Sequence, residues 1–206
     1  MSFISAFFYD KFMSEAEKAC LDHWRQDLLK QVHGEVLEIG AGTGANIEHY
    51  PEYVTKLVLT EPDKHMRKHL LLNVSNHGDK NIQVSSGTAE EIIAEDESFD
   101  FVVASLVCCS VSSLEASLNE IKRVLKHGGS FIFLEHVAAP EGTPRRRWQN
   151  WLNPIWRSVS GNCNLNRETE DAILGVGFNI KEIERESMRK AMPIVRPTIR
   201  GLAEKV

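Results

Sequence analysis

The sequence predicts an α/β fold, with a doubly wound, mostly parallel seven-stranded sheet that ends in an antiparallel hairpin. Three observations predict it. Short apolar runs alternate with helical patterns over the first 135 residues. A glycine-rich turn follows the first of these runs. Two strand-like segments, 178–186 and 194–203, then follow each other without a helix between them, which favours antiparallel pairing.

The elements before residue 140 follow from local start and stop signals. Ser14-Glu15-Ala16-Glu17 is a capping box, so a helix is predicted over residues 14–32, with Gly34 closing it. This helix forms an N-terminal cap, residues 1–33, that we expect to pack across the mouth of a ligand site. The remaining predictions are strands at 36–39, 56–60, 81–85, 99–106 and 130–135, a short helix ended by Pro51, helices at 64–76 and from Ser112 to Lys126, and a later helix at 167–174 capped by Asn166.

Residues 140–165 interrupt the alternation and are interpreted as an inserted helical lid within a single domain of residues 1–206. Asn153-Pro154 is expected to divide the lid into two short helices, with the asparagine as cap and the proline at the first helical position. Trp148 and Trp151 recur at helical spacing, and their face is a candidate lining for a substrate pocket. Packing of the lid on the sheet and contact with a membrane surface are the alternatives.

Composition indicates an ordinary soluble protein. The chain has 206 residues, enough for one domain with a sizeable core, and 42% of them are hydrophobic and 26% charged. The net charge of −5 provides no general attraction for nucleic acid, so no nucleic-acid partner is predicted. Nothing in the composition predicts an oligomeric state.

The cysteines and the N-terminal segment bear on location. Cys20, Cys108, Cys109 and Cys163 form no C-x-x-C pair, so neither a metal site nor a disulfide framework is predicted, and a reducing, cytoplasmic compartment is the simpler interpretation. The apolar stretch 3–9 is too short to span a bilayer. Peripheral membrane contact through it stays open.

The glycine-rich turn is the first functional signal. Gly40, Gly42 and Gly44 follow the apolar run 36–39, and glycines there let a ligand approach the backbone. The N–H groups at the start of the next helix favour an anionic or electron-rich group, so a nucleotide-like ligand is expected. Residues 40–45 fit the dinucleotide pattern G-x-G-x-x-A, and residues 38–44 fit the E-x-G-x-G-x-G pattern of S-adenosylmethionine-dependent methyltransferases. The glycines alone do not separate these alternatives.

Glu61 is the second functional signal. It stands at the end of the second predicted strand, 21 residues after Gly40. Ligands of open parallel sheets lie beyond the carboxyl ends of the strands, and a carboxylate at this spacing can accept hydrogen bonds from both ribose hydroxyls. Glu61 and the glycine turn are therefore expected to contact the same nucleoside.

Together these residues resemble a Rossmann-like class I S-adenosylmethionine-dependent methyltransferase of the type 11 group. Longer segments are similar to the methyltransferase-like thiol S-methyltransferases: SLVCCSV at 105–111, LEHVAA at 134–139, GNCNLNRET at 161–169 and VRPTIRG at 195–201. The resemblance implies S-adenosylmethionine as cofactor. It also implies a small-molecule substrate and methyl transfer to a thiol by in-line displacement.

The resemblance implies roles for individual residues. Glu38 would hold the methionine amino group, Glu61 the ribose hydroxyls, and the Ala89 N–H the adenine. Many type 11 enzymes have aspartate at position 88, where this chain has threonine, so the hydroxyl or the neighbouring Glu90 would serve instead. The implied cofactor-binding set is Glu38, Gly40, Ala41, Gly42, Gly44, Asn46, Glu61, Pro62, Thr88, Ala89, Glu90, and Ser105 with Leu106 beside the sulfonium.

Catalytic and substrate residues are less specified. His136, at the end of the fifth predicted strand, is the candidate base or orienting group, and a histidine that only hydrogen-bonds the lid is its alternative. The candidate substrate contacts are Cys109, Trp148, Trp151, Asn162 and Arg167, although a small packing role is the alternative for Cys109. No metal is predicted.

Three other functions remain as alternatives. A nicotinamide-dependent oxidoreductase of the short-chain type needs Tyr-x-x-x-Lys, and none of Tyr9, Tyr50 and Tyr53 has lysine four residues later. A non-catalytic S-adenosylmethionine-binding partner subunit is the second alternative. A carbon or oxygen methyltransferase of a quinone or lipid-like molecule is the third, because an aromatic lid suits such a ring as well as an apolar thiol.

Overall fold

The computed structural model describes residues 14–78 and 81–206, and its centre is a single seven-stranded sheet. The strand order is β3-β2-β1-β4-β5-β7-β6. Neighbours among the first five strands pair in parallel, whereas β7 is antiparallel to both β5 and β6. The predicted fold class, including the C-terminal hairpin, is therefore confirmed. The strands are β1 (Gly34–Ile39), β2 (Val54–Thr60), β3 (Ile82–Ser85), β4 (Phe99–Ser105), β5 (Leu125–His136), β6 (Phe178–Ser187) and β7 (Pro197–Lys205).

Five α-helices occur in the described residues. They are α1 (Asp22–Leu29), α2 (Lys64–His77), α3 (Leu114–Val124), α4 (Pro144–Val159) and α5 (Thr169–Gly175). A π-helical turn, Glu17–Leu21, precedes α1, and a 3₁₀ turn, Ile47–His49, replaces the short helix predicted after the glycines. None of the described helices combines the length and apolarity needed to cross a bilayer. The apolar stretch 3–9 lies outside the described residues.

The helix predicted at 64–76 is confirmed, whereas the helix predicted from Ser112 to Lys126 is displaced at both ends. Asp63 caps α2 by accepting hydrogen bonds from the backbone N–H groups of His65 and Met66. At α3 the cap is Ser113, one residue after the predicted Ser112, because Ser113 accepts from the Ala116 N–H. The helix also ends before Lys126, since Leu125 already pairs with Phe99 of β4.

The predicted division of the lid at Asn153-Pro154 is wrong. Helix α4 is continuous, begins with Thr143 as N-cap and keeps Pro154 inside. Asn153 does not cap a second helix, because its side-chain oxygen accepts a hydrogen bond from the Leu165 N–H, 2.8 Å away. An internal proline costs about 3 kcal/mol, so packing of the inner face of α4, including Trp156, on the core has to offset that cost.

The cap predicted for the next helix is also wrong. Helix α5 begins at Thr169, and its N-cap position is held by Glu168, which makes no side-chain cap hydrogen bond. Asn166 instead donates from its side-chain amide to the side-chain oxygen of Asn150 in the lid, at 2.9 Å. Asn166 was predicted to cap the helix, but its side chain forms a tertiary contact with the lid instead.

The core lies on both faces of the sheet, which explains why the central strands carry apolar residues at consecutive positions. Successive strand residues point to opposite faces, so Val36 joins one hydrophobic cluster and Leu37 the other. Ile132 and Phe133 of β5 divide in the same way. Helix α1 covers the first face, and α3 covers the second. Because both faces are covered, a ligand site is expected at the edge formed by the carboxyl ends of β1, β2, β4 and β5.

Candidate functional site

The residues that follow β1 and β2 meet at the carboxyl edge of the sheet. The Gly42 N–H donates a hydrogen bond to Glu61 Oε2 at 2.9 Å, and the Asp63 N–H donates to Glu61 Oε1 at 2.8 Å. A carboxylate has about four acceptor positions, so Glu61 retains capacity for a ligand. Burial raises the pKa of Glu61, although the two backbone hydrogen bonds oppose that rise. The structure thus places both sequence signals in direct contact.

The glycines of the turn have different reasons to be glycine. A Cβ atom on Gly40 would lie 2.6 Å from Val107 Cγ2, so this position is closed by packing. A Cβ on Gly42 would meet only Met66 Cε, at 3.5 Å, yet its φ of +60° is one that side-chain-bearing residues rarely adopt. Gly42 is therefore the glycine whose open side is available to a ligand.

A buried polar network lies behind the glycine turn. Glu38, at 3% exposure, accepts hydrogen bonds from the Tyr50 hydroxyl at 2.7 Å and from Asn46 Nδ2 at 3.0 Å. Arg25 of α1 donates to Asn46 Oδ1 at 2.8 Å and to Glu17 at 2.7 Å. Burial raises the pKa of Glu38, whereas Tyr50, Arg25 and Asn46 lower it. Sequence reasoning found Glu38 and Asn46 but missed Arg25 and Tyr50.

The end of β4 approaches the same network. Asn46 Nδ2 lies 3.2 Å from Ser105 Oγ, which links the β4 terminus to the glycine turn. Leu106 then adopts a φ of +61°, and its N–H donates to the Leu134 carbonyl at 2.7 Å. A left-handed conformation costs a residue such as leucine about 1–2 kcal/mol. Strain of this kind often occurs at ligand-binding positions, and the contact of Leu106 with the sulfonium stays a prediction.

Glu90, in the segment after β3, binds the backbone at the start of α3. Glu90 Oε1 accepts hydrogen bonds from the N–H groups of Ser112 at 2.6 Å and Ser113 at 3.3 Å. The carboxylate thus holds the start of α3. Ala89 beside it is buried, whereas Thr88 is exposed. Their contacts with an adenine ring stay predictions.

The loop between β4 and α3, residues 106–113, is held from below by β5. Glu135, fully buried in β5, accepts hydrogen bonds from the N–H groups of Val107 at 2.9 Å, Cys108 at 2.8 Å and Cys109 at 3.4 Å. Burial raises the pKa of Glu135, and the backbone donors lower it. Sequence reasoning missed this carboxylate because its partners are backbone groups, which no side-chain pattern reveals.

The segment after the lid helix α4 also hydrogen-bonds to this loop. Arg167 donates to the carbonyl oxygens of Cys108 at 2.8 Å and Val111 at 2.5 Å. Asn162 donates to the Ser110 carbonyl at 2.9 Å. Both predicted substrate residues therefore position this loop, and their contact with a substrate remains a prediction.

His136 and two thiols form a cluster at the end of β5. His136 Nε2 lies 2.9 Å from Cys163 Sγ, and Cys109 Sγ completes a group whose ligand atoms all lie within 4.8 Å of one another. The hydrogen bond with Cys109, followed by burial, raises the pKa of Cys163, and His136 lowers it. Cys163 belongs to the lid segment, so His136 does contact the lid. Its role as a base stays a prediction.

Comparison with known proteins agrees with this arrangement. Residues 37–133 match the family model of the methyltransferase domain. Human thiol S-methyltransferase TMT1A is 35% identical over 173 residues, which cover 82% of this chain and 70% of that protein. Rat thiol S-methyltransferase TMT1B is 36% identical over 182 residues, covering 86% and 74%. The chain belongs to the thiol S-methyltransferase family. It is accordingly a class I methyltransferase.

Solved structures support the fold of this thiol S-methyltransferase family member. The structure of geranyl diphosphate methyltransferase in complex with S-adenosylmethionine matches with a TM-score of 0.73 at 12% identity, over 93% of this chain and 86% of that chain. At this identity the likeness shows the fold alone.

The lid tryptophans of this family member lie on the outside of the described structure. Trp148 is 57% exposed and Trp151 67% exposed, and their rings contact each other edge to face with centroids 5.4 Å apart. Gln149, between them, is fully buried and donates to the carbonyls of Val137 and Ile194. Gln149 thus fixes the helix to the rest of the domain. The substrate-lining and membrane-contact roles of the tryptophans stay predictions.

Proposed function

We propose that this thiol S-methyltransferase family member transfers the methyl group of S-adenosylmethionine to the sulfur of a small-molecule thiol. The hydrogen bond between the Gly42 N–H and Glu61 carries the proposal, since it puts an open glycine and a partly free carboxylate at one edge. In this scheme Glu61 accepts from the ribose hydroxyls, and Glu38 receives the methionine amino group directly or through water. Ser105 and Leu106 border the sulfonium.

The reaction is an in-line displacement. The substrate thiolate forms a bond to the methyl carbon while the carbon–sulfonium bond breaks, leaving S-adenosylhomocysteine. Since the donor is already activated, alignment of the two partners matters most and can supply on the order of 7–11 kcal/mol of the barrier. A free thiol with a pKa near 8.5 is about a few per cent ionised at neutral pH, so His136 need only orient it or assist its deprotonation. The four free cysteines of the chain support a reducing, cytoplasmic location for this chemistry.

Two experiments test the proposal in sequence. Equilibrium dialysis of the full chain against S-adenosylmethionine and NAD is expected to show saturable binding of the sulfonium compound alone. Incubation with a labelled methyl donor and matched panels of alkyl thiols, phenols and quinols is expected to label the thiols. Binding of NAD without S-adenosylmethionine would end the proposal, and labelling confined to quinols or phenols would assign the family member to carbon or oxygen methylation.

Cofactor affinity is expected to fall as the pH is lowered from neutral. Burial raises the pKa of both Glu38 and Glu61 above the ordinary 4.5, and the ionised carboxylates are the forms proposed to bind. Each proton taken up as the pH passes down through the raised values removes an acceptor and a negative charge. Calorimetric titration at stepped pH measures this loss. The Glu61→Gln variant should have lower affinity and a flatter pH profile. If the affinity of the wild-type protein did not change between neutral pH and pH 4.5, the assignment would be contradicted.

A further inference from the structure

Three side chains from separate elements converge beside the end of β4. Cys109 comes from the loop between β4 and α3, His136 from the end of β5, and Cys163 from the segment after α4. We propose that they form a site for a thiophilic divalent metal ion such as Zn²⁺, with one coordination position left for an external ligand. Two cysteines and one histidine with a fourth open position are a ligand set that catalytic zinc uses.

The spacing of the ligand atoms fits such an ion. With Zn–S bonds near 2.3 Å and Zn–N bonds near 2.0–2.1 Å, ligand atoms in a tetrahedral site stand roughly 3.6–3.8 Å apart. Here the three atoms lie within 4.8 Å of one another, and His136 Nε2 is 2.9 Å from Cys163 Sγ. Side-chain adjustments of about one ångström therefore suffice. Two thiolates balance the charge of a divalent ion, which suits a buried position.

The second ring nitrogen of His136 is not one of the atoms that meet the thiols. His136 is 5% exposed, and its Nδ1 makes no hydrogen bond with any described residue. A metal-bound histidine normally donates a hydrogen bond from its other ring nitrogen, so with Nε2 on the ion Nδ1 would carry the proton. The candidate ligand atoms are thus Nε2 and the two thiol sulfurs.

The surrounding backbone holds the ligands in place. The Cys109 carbonyl accepts from the Asn164 N–H at 2.8 Å and from Asn164 Nδ2 at 3.1 Å, which ties the loop bearing one thiol to the segment bearing the other. His136 is fixed by its register opposite Thr198 of β7. The cluster is thus a built arrangement, to which the lid segment contributes one ligand.

The role of the metal rests on the proposed function. Cys109 Sγ lies 3.5 Å from the Leu106 carbonyl, so the cluster adjoins the residue proposed to border the sulfonium. A thiol that coordinates a divalent ion loses its proton. A substrate thiol in the open position would therefore release its proton to solvent and present a thiolate beside the methyl group.

Cobalt titration of the reduced, chelator-treated full chain tests the site without any activity measurement. We expect one equivalent of Co²⁺ to bind and to produce a thiolate-to-cobalt charge-transfer band with the visible bands of four-coordination. Cys109→Ala and Cys163→Ala should each weaken cobalt binding by roughly tenfold or more, because losing even a residue that hydrogen-bonds to a metal ligand costs that much. Each variant should keep the charge-transfer band of the one remaining thiolate. An added alkyl thiol should change the wild-type spectrum.

Cys108→Ala is the matched control. Cys108 is the sequence neighbour of Cys109 and is fully buried, but it is outside the cluster, so its removal should leave cobalt binding unchanged. Circular dichroism checks that each variant folds, and the serine substitution at the same position replaces any alanine variant that does not. Cobalt uptake that is absent in the wild type, or unchanged in the Cys109→Ala/Cys163→Ala double variant, overturns the site.

The outcomes separate the metal site from the proposed function. Thiol methylation at full rate by chelator-treated protein that takes up no cobalt would remove the metal and leave the function standing. Stoichiometric cobalt uptake by a protein that does not bind S-adenosylmethionine would retain the site and remove the function.

Discussion

Glu61→Ala is expected to weaken S-adenosylmethionine binding by about 2–3 kcal/mol, or roughly 30- to 150-fold in dissociation constant. In the proposed complex the carboxylate accepts two charge-assisted hydrogen bonds from the ribose, and alanine leaves both hydroxyls without acceptors. Glu61 also orders the turn, since the N–H groups of Gly42 and Asp63 donate to its two oxygens. Isothermal titration calorimetry on the folded variant measures the loss.

Two controls separate ligand contact from structural damage. Glu61→Gln keeps the shape and one acceptor oxygen, so we expect its affinity to lie between those of the wild type and Glu61→Ala. Glu52→Ala removes an exposed carboxylate from the loop before β2 and should change neither affinity nor melting temperature. A folded Glu61→Ala variant with wild-type affinity would refute the assignment of Glu61 and, with it, the nucleoside geometry on which the proposed function depends.

The sheet and its ligand edge could be predicted because their determinants are local. A strand covered on both faces has apolar residues at consecutive positions, and Val36 with Leu37 in β1 and residues 101–104 in β4 show this directly in the sequence. The positions of Gly42 and Glu61 relative to these runs then follow from parallel topology, because successive carboxyl ends lie at one edge. Tertiary contacts do not alter these relations, and the structure reproduces them.

The errors occurred where distant contacts override local preference. Pro154 is tolerated inside α4, and Asn153, predicted as a cap, serves Leu165 instead. The thiol–imidazole cluster was not predicted at all. His136 lies 27 residues from Cys163 and equally far from Cys109, so only the topology of β4, β5 and the lid brings them together. Metal-ligand spacing rules read pairs a few residues apart and cannot detect such a set.

Arg25→Ala is expected to lower the free energy of unfolding by about 3 kcal/mol. Arg25 is a further residue that the sequence patterns did not identify. Arg25 is 7% exposed, and its guanidinium bridges Glu17 and Asn46. Removing one partner of a buried charged pair typically costs 3–5 kcal/mol, and the partial exposure of Glu17 places this case near the lower end. For a chain of this size the melting temperature should fall by about 6–12 °C.

The same substitution is expected to weaken cofactor binding indirectly. Arg25 lowers the pKa of buried Glu38, so its loss raises that pKa further and moves the pH-dependent decline in affinity toward neutral pH. Glu17→Gln removes the charge of the partly exposed partner but keeps an acceptor oxygen for Arg25, so it should cost within about 1 kcal/mol, with the pH profile unchanged. Thermal denaturation and stepped-pH calorimetry on both variants separate the two effects. If Arg25→Ala lost stability but kept the wild-type pH profile, the arginine would only brace α1 against the turn, and Glu38 would not depend on it for its charge.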